Sequence, residues 1–137
     1  QWDLVCKYLE VKGKLAIADI NSNSTSWGNY SNVERTISSD KAKQGSSWTS
    51  ITGTKPASSV RLTAGASDDT KKMNIYDFAG NEWEWTLEKT SDSNYPCAFR
   101  GGVYNNSGSF FPASYRNNGG TAGADNLIGF RSALYVN

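Results

Sequence analysis

Apolar residues recur with a helical period only near the start of the chain. Trp2, Val5, Cys6 and Leu9 fall at i, i+3, i+4 and i+7, one stripe of a helix over residues 2–11. Asp3 and Lys7 form an i,i+4 pair on its wet side, and Gly13 supplies a stop. A shorter helical stretch is expected from Leu15 to Ile20. Ser, Asn and Gly predominate in residues 21–32, around a single Trp and Tyr, so regular structure is not expected there. Ser31 and Glu34 have capping-box spacing, which predicts one short helical turn. Residues 38–72 are dominated by Ser, Thr, Gly, Lys and Asp and read as a long surface excursion.

The second half alternates more regularly. Met73 to Phe78 is short and apolar, and Glu82 to Leu87 alternates as a strand does. Cys97 to Val103 and Phe130 to Val136 are further strand candidates. Between them lies an Asn-, Gly- and Ser-rich stretch interleaved with Tyr104, Phe110, Phe111 and Tyr115. Trp83 and Trp85 are expected to face opposite sides of their strand, with at least one of them core, whereas Phe111 is expected to plug the interior beneath the loop. Together these elements predict an α+β domain, two short helices with small antiparallel sheets and long loops.

Length and composition sharpen this. A chain of 137 residues suits one domain. Aromatics make up 12 %, with five Trp and seven Tyr, so much of the core must be built from rings. The net charge is only +1 and the basic residues are scattered, which excludes a nucleic-acid footprint. No apolar run approaches the ~20 residues of a membrane span, so no membrane insertion is expected. Gln1 in place of an initiator Met suggests a piece of a longer protein.

The absence of His removes the most chemistry. Neither a Ser-His-Asp nor a Cys-His arrangement can be built, nor a His-ligated metal site. Cys6 and Cys97 could pair in a secreted protein, but Cys6 lies on the apolar face of the first helix, which favours free, buried thiols. Arg100 and Arg131 flank predicted buried strands, where a guanidinium needs a carboxylate or backbone carbonyls.

Three segments stand out in order: Asn74-Ile-Tyr-Asp-Phe-Ala-Gly-Asn-Glu-Trp-Glu-Trp85, Phe99-Arg-Gly-Gly102 and Ile128-Gly-Phe-Arg131. Gln1-Trp-Asp-Leu-Val-Cys6 and Ser26-Trp-Gly-Asn29 add two weaker ones. Together they resemble the formylglycine-generating-enzyme, or sulfatase-modifying-factor, family. The resemblance implies a C-type lectin-like fold, here without the strands that usually precede the first helix. It also implies a structural calcium ion held by Asp77, Gly80, Glu82 and Glu84, with Gly80 and Glu82 acting through their carbonyls. The family's enzymes carry two reactive Cys between the Arg-Gly-Gly and Gly-Phe-Arg segments. This chain has none there, so the resemblance extends to the scaffold and not to the chemistry.

The run from Arg100 to Tyr135 further resembles the C-terminal end of diversity-generating-retroelement variable proteins and related phage and prophage proteins. That likeness implies a solvent-facing binding surface at Tyr104, Asn105, Asn106, Ser107, Ser109, Ser114, Tyr115, Asn117, Asn118 and Asn126. The expected partner is a protein or glycan on a cell surface, bound from a phage virion or bacterial surface. The alternative is a structural virion or prophage domain whose loop packs against a neighbouring subunit. Asn, Ser, Gly and Tyr are the composition of adaptable binding loops in any case. The three Asn-x-Ser/Thr sequons are expected by chance in so Asn- and Ser-rich a chain.

Overall fold

The structure, a computed structural model, describes residues 1–121 and 124–132. In chain order it contains α1 (Trp2–Val11), α2 (Ile17–Asn21), β1 (Arg35–Thr36), β2 (Lys43–Gln44), β3 (Thr49–Ser50) and β4 (Thr54–Lys55). A 3-10 turn at Asp68–Thr70 leads into β5 (Lys71–Lys72) and β6 (Ile75–Tyr76). The sequence closes with β7 (Trp83–Lys89), β8 (Cys97–Arg100), β9 (Arg116–Gly119) and β10 (Ile128–Phe130). It is an α+β arrangement of two helices and small sheets.

Helix α1 forms for the reason its periodicity gives. Trp2 and Leu9 are buried, with Val5 and Cys6 packed against the same cluster. The Trp2 indole stacks on Phe78 with centroids 4.0 Å apart and donates to the Ala113 carbonyl at 2.9 Å. Burying a side chain such as Leu9 contributes roughly 1.5–3 kcal/mol. A second row, Leu4, Tyr8 and Val11, is left exposed on the same helix. In α2, Asp19 turns back to accept from the Ala16 amide at 3.3 Å, so the helix begins later than its apolar pattern suggests.

Residues 31–34 make a turn and no helix. The backbone there is bent instead by the buried amine of Lys55, which donates to the carbonyls of Tyr30 at 2.6 Å and Val33 at 2.8 Å. Burial, with Arg35 directly opposite across β1–β4, pulls that amine down to about 8. The long excursion contains pieces of regular structure. It folds as two small ribbons, β1–β4 and β2–β3, over a satellite core of Ala42, Ile51, Leu62 and Ala66. Farther on, Met73 and Asn74 both take positive φ as the two-residue connection between β5 and β6, the geometry of a tight hairpin turn.

Among the described residues the main sheet has four strands in the order β10-β7-β8-β9. It is mixed and not purely antiparallel, because β10 pairs with β7 in parallel. The strand expected over Cys97 to Val103 stops at Arg100, where Gly101 and Gly102 turn to positive φ. The strand expected over Phe130 to Val136 is displaced to Ile128–Phe130, and residues 133–136 lie outside the described residues.

Candidate ligand-binding surface

The three segments that stand out in the sequence are three neighbouring strands. Ile128, Gly129 and Phe130 lie opposite Trp83, Glu84 and Trp85, and Glu84 in turn lies opposite Arg100. Trp83 and Trp85 do not face opposite sides as expected: side chains alternate along a strand, so residues two apart share a face. Both meet the Phe99 ring edge-on, at 5.1 and 5.3 Å. The other face carries Glu84 and Arg100 and is held by charge. Arg100 reaches Glu88 and Asp3, each at 3.0 Å, and the Ser114 carbonyl at 2.6 Å. Arg131 grips both oxygens of Glu84 at 2.9 and 2.5 Å, a planar fork on a carboxylate. Both arginines thus act as the ion-pair and carbonyl clamps that their sequence positions imply.

Two buried asparagines tie the Trp-Gly-Asn loop to this sheet. Asn29 donates to the Asn81 amide oxygen at 2.9 Å and to the Val60 carbonyl at 3.0 Å. The side chain of Asn81 both donates to and accepts from the backbone of Leu62 at 3.0 Å. Gly80 sits between them against Asn29. Polar groups buried this deeply require such pairing. Nothing in the local sequence pattern singles out Asn81 or Leu62 for the role.

On the ring-bearing face, the chain after Gly102 builds a surface. Phe111 packs edge-on against Trp83 at 5.0 Å, and Phe110 and Tyr115 pack on Phe111 at 4.7 and 4.8 Å. Phe111 is half-buried as expected, but Phe110 is 66 % and Tyr115 38 % exposed. The backbone beneath is pinned at many points. Tyr104 donates to Asn81, the Asn106 carbonyl accepts from Ser31, the Gly108 carbonyl accepts from Ser24, and the Tyr30 hydroxyl donates to Phe111. Ser114 donates to Ile20. The segment is a platform pinned along its backbone.

Tyr104, Asn105, Asn106, Ser107, Ser109 and Tyr115 are brought together on that platform, with Tyr104 half-buried against Trp83, Phe99 and Val103. Asn117 lies opposite Phe99 on the same face of the sheet. Ser114 is half-buried, its backbone bonded to Ile20 and Arg100. Asn118 is one residue along β9 from Asn117 and faces the other way. Asn126 sits beyond the opposite edge, its carbonyl accepting from Arg61 at 2.8 Å. Phe110, the most exposed ring of the platform, is not among the residues singled out by the sequence. An apolar side chain in a run of Asn, Ser and Gly is the one signal that could have found it.

Asp77, Glu82 and Glu84 line a single cleft of about 390 Å³, with Trp48, Phe130 and Arg131 on its other walls. Burial raises the carboxyls of Asp77 and Glu84 above the ordinary range. Asp77 accepts from the Gly65 amide at 2.8 Å and the Thr70 hydroxyl at 2.7 Å, while Glu82 accepts from Arg61 at 3.0 Å. Glu84 is taken up by Arg131. Among the described residues no group of three acidic or sulfur side chains is placed to hold a metal. Asp77 and Glu84 spend their carboxylate oxygens on these donors, which a calcium ion, taking about six to eight oxygens, would have to displace. Positive charge in the cleft is supplied by guanidinium groups.

Both cysteines are free and half-buried. Burial pushes the Cys6 thiol up to about 11. At pH 8, iodoacetamide should therefore label Cys6 on the order of 100-fold more slowly than an unhindered thiol, because the thiolate is the reactive form. Peptide mass spectrometry over a labelling time course reads this directly. Labelling of Cys6 as fast as glutathione would contradict it.

Two helices beside a small mixed sheet, with long loops pinned by buried amides, define a small α+β domain. A family model described as the sulfatase-modifying factor enzyme 1-like domain matches residues 14–136, and the chain belongs to that family. No curated protein and no solved structure matches it.

Proposed function

We propose that this is a non-catalytic ligand-binding domain of C-type lectin-like architecture, presenting residues 104–118 to a protein or glycan on a cell surface. One observation carries it: the exposed rings of Phe110 and Tyr115 are fixed on Phe111 and Trp83, with neutral amides and hydroxyls around them. Rigid rings beside adaptable polar groups make contact area at low entropic cost. The loss of chemistry is supported by the absence of His, and of Cys after position 97. Display from a phage virion or bacterial surface, with these positions diversified by a retroelement, completes the proposal. Codons fixed at positions 104–118 across sibling genomes would remove the retroelement from it.

An array of bacterial surface material tests the binding itself. Phe110→Ala and Tyr115→Ala should each weaken it about tenfold or more, the equivalent of ~1.4 kcal/mol. Their melting temperatures should stay close to that of the parent, since both rings are partly in water. Unchanged binding in both variants rejects the surface.

A structural virion or prophage role, with the platform packed against a neighbouring subunit, is favoured by one feature. Leu4, Tyr8, Val11 and Ile17 leave an apolar row uncovered on the two helices. In that case the same two variants would impair particle assembly and not adhesion.

A further inference from the structure

From Gly101 to Tyr115 the chain contains no Asp, Glu, Lys or Arg. The next charge, Arg116, is held by Glu88 at 2.8 Å. The platform is thus bordered by groups that are neutral and able both to donate and to accept. Asn106 donates to the Asn105 amide oxygen at 3.0 Å, and the hydroxyls of Ser107 and Ser109 lie 3.1 Å apart. Beside them the Phe110 ring meets Phe111 edge-on, so one ring face is left to solvent.

A sugar ring presents the two complementary chemistries. Its hydroxyls donate and accept, and its C–H face is apolar enough to lie on an aromatic ring, whose negative face favours the C–H dipoles. A charged ligand finds no counter-charge from Gly101 to Tyr115, and Arg116 beside them is already paired with Glu88, so it would lose hydration without compensation. We propose that the ligand is an uncharged polysaccharide. One sugar lies on Phe110, and its hydroxyls are bonded by the side chains of Asn105, Ser107 and Ser109. The assignment rests on residues 104–118 being the contact surface.

Native gel electrophoresis of the purified chain through gels containing a neutral mannan, galactan, arabinoxylan, β-glucan or dextran tests it, with alginate and polygalacturonate as acidic counterparts. At least one neutral polymer should retard the chain, equally at ~50 mM and ~500 mM salt, because no ion pair is screened. Phe110→Ala should weaken retardation about tenfold, and Phe110→Trp should retain it. No retardation by any neutral polymer, or salt-sensitive retardation by the acidic ones alone, overturns the proposal. Surface material treated with proteinase or with periodate distinguishes the two levels. Binding that is lost to proteinase, survives periodate and still requires Phe110 keeps the contact surface but makes its ligand a protein. Binding indifferent to Phe110 and Tyr115 rejects the surface as well.

Discussion

Gly80→Ala is expected to remove a large part of the domain's stability. The residue has φ +71°, where an added Cβ is strained by about 1–2 kcal/mol on backbone grounds alone. That Cβ would lie 2.8 Å from the Asn29 carbonyl carbon and closer still to its oxygen. Those atoms are backbone and cannot rotate aside. Asn29 cannot retreat either, since its amide donates to Ala79, its carbonyl accepts from Asn81 and its side chain joins the buried amide pair. The total exceeds about 4 kcal/mol, against a domain stability of roughly 5–15 kcal/mol. Gly45→Ala is the matched control. It has φ +69°, and nothing lies within 4 Å of its Cβ position, so it should cost only about 1 kcal/mol. Soluble yield and thermal melting of the two variants give the comparison. A cooperative melt of Gly80→Ala near that of Gly45→Ala would refute the packing account. The requirement for glycine at position 80 is thus a steric one.

Arg100→Met should be the next most damaging change. Its guanidinium is almost fully buried and joins three parts of the chain, Asp3 on α1, Glu88 on β7 and the Ser114 carbonyl beneath the platform. Asp3 is largely exposed, so its pair contributes little. The Ser114 carbonyl and the half-buried Glu88 dominate. Glu88 keeps Arg116 at 2.8 Å, which limits the loss. A fall of about 3 kcal/mol follows from charge-assisted bonds worth roughly 1.5–3 kcal/mol each. For a chain of this length that lowers the melting temperature by roughly 10 °C. Arg100→Lys should recover little, because one ammonium cannot span partners that a planar fork reaches. Amide exchange at Tyr115 should quicken in both variants, as the Ser114 carbonyl no longer anchors its turn. Protection unchanged at Tyr115 would separate Arg100 from the platform.

What could be foreseen followed from how local each signal is. Helix α1 carries its period within ten residues, and the Trp-Glu-Trp strand within seven. The parallel pairing of β10 with β7 has no such mark, because it depends on two intervening segments crossing first. Lys55 is the sharper failure. In a run of Ser, Thr and Gly a lysine reads as solvated, yet it is wholly buried, because three N–H donors can satisfy backbone carbonyls as a carboxylate would satisfy amides. At the candidate surface, the contiguous positions 104–109 come together because a pinned turn keeps neighbours adjacent. Asn117 and Asn118 part company because they occupy a strand, whose alternation a loop reading ignores. Phe110 escapes the sequence pattern for a similar reason. Apolar residues are expected inside, and nothing in one sequence shows which of two adjacent phenylalanines has already taken the space.

The parallel edge strand also sets the order of assembly. β7 is complete early, but the strand that covers its outer side comes from the far end of the chain, after β8, the ring platform and β9. Contacts so distant in sequence close slowly, since loop entropy is lost before they form. On a translating ribosome, Trp83 and Trp85 are therefore made long before Ile128 and Phe130 can cover that edge. During this interval the nascent chain offers an unpaired, tryptophan-bearing strand to any neighbour, the condition under which strands pair wrongly. Yield of this domain should thus be governed more by the speed of its last step, and by chaperone supply during synthesis, than by the stability of the finished fold.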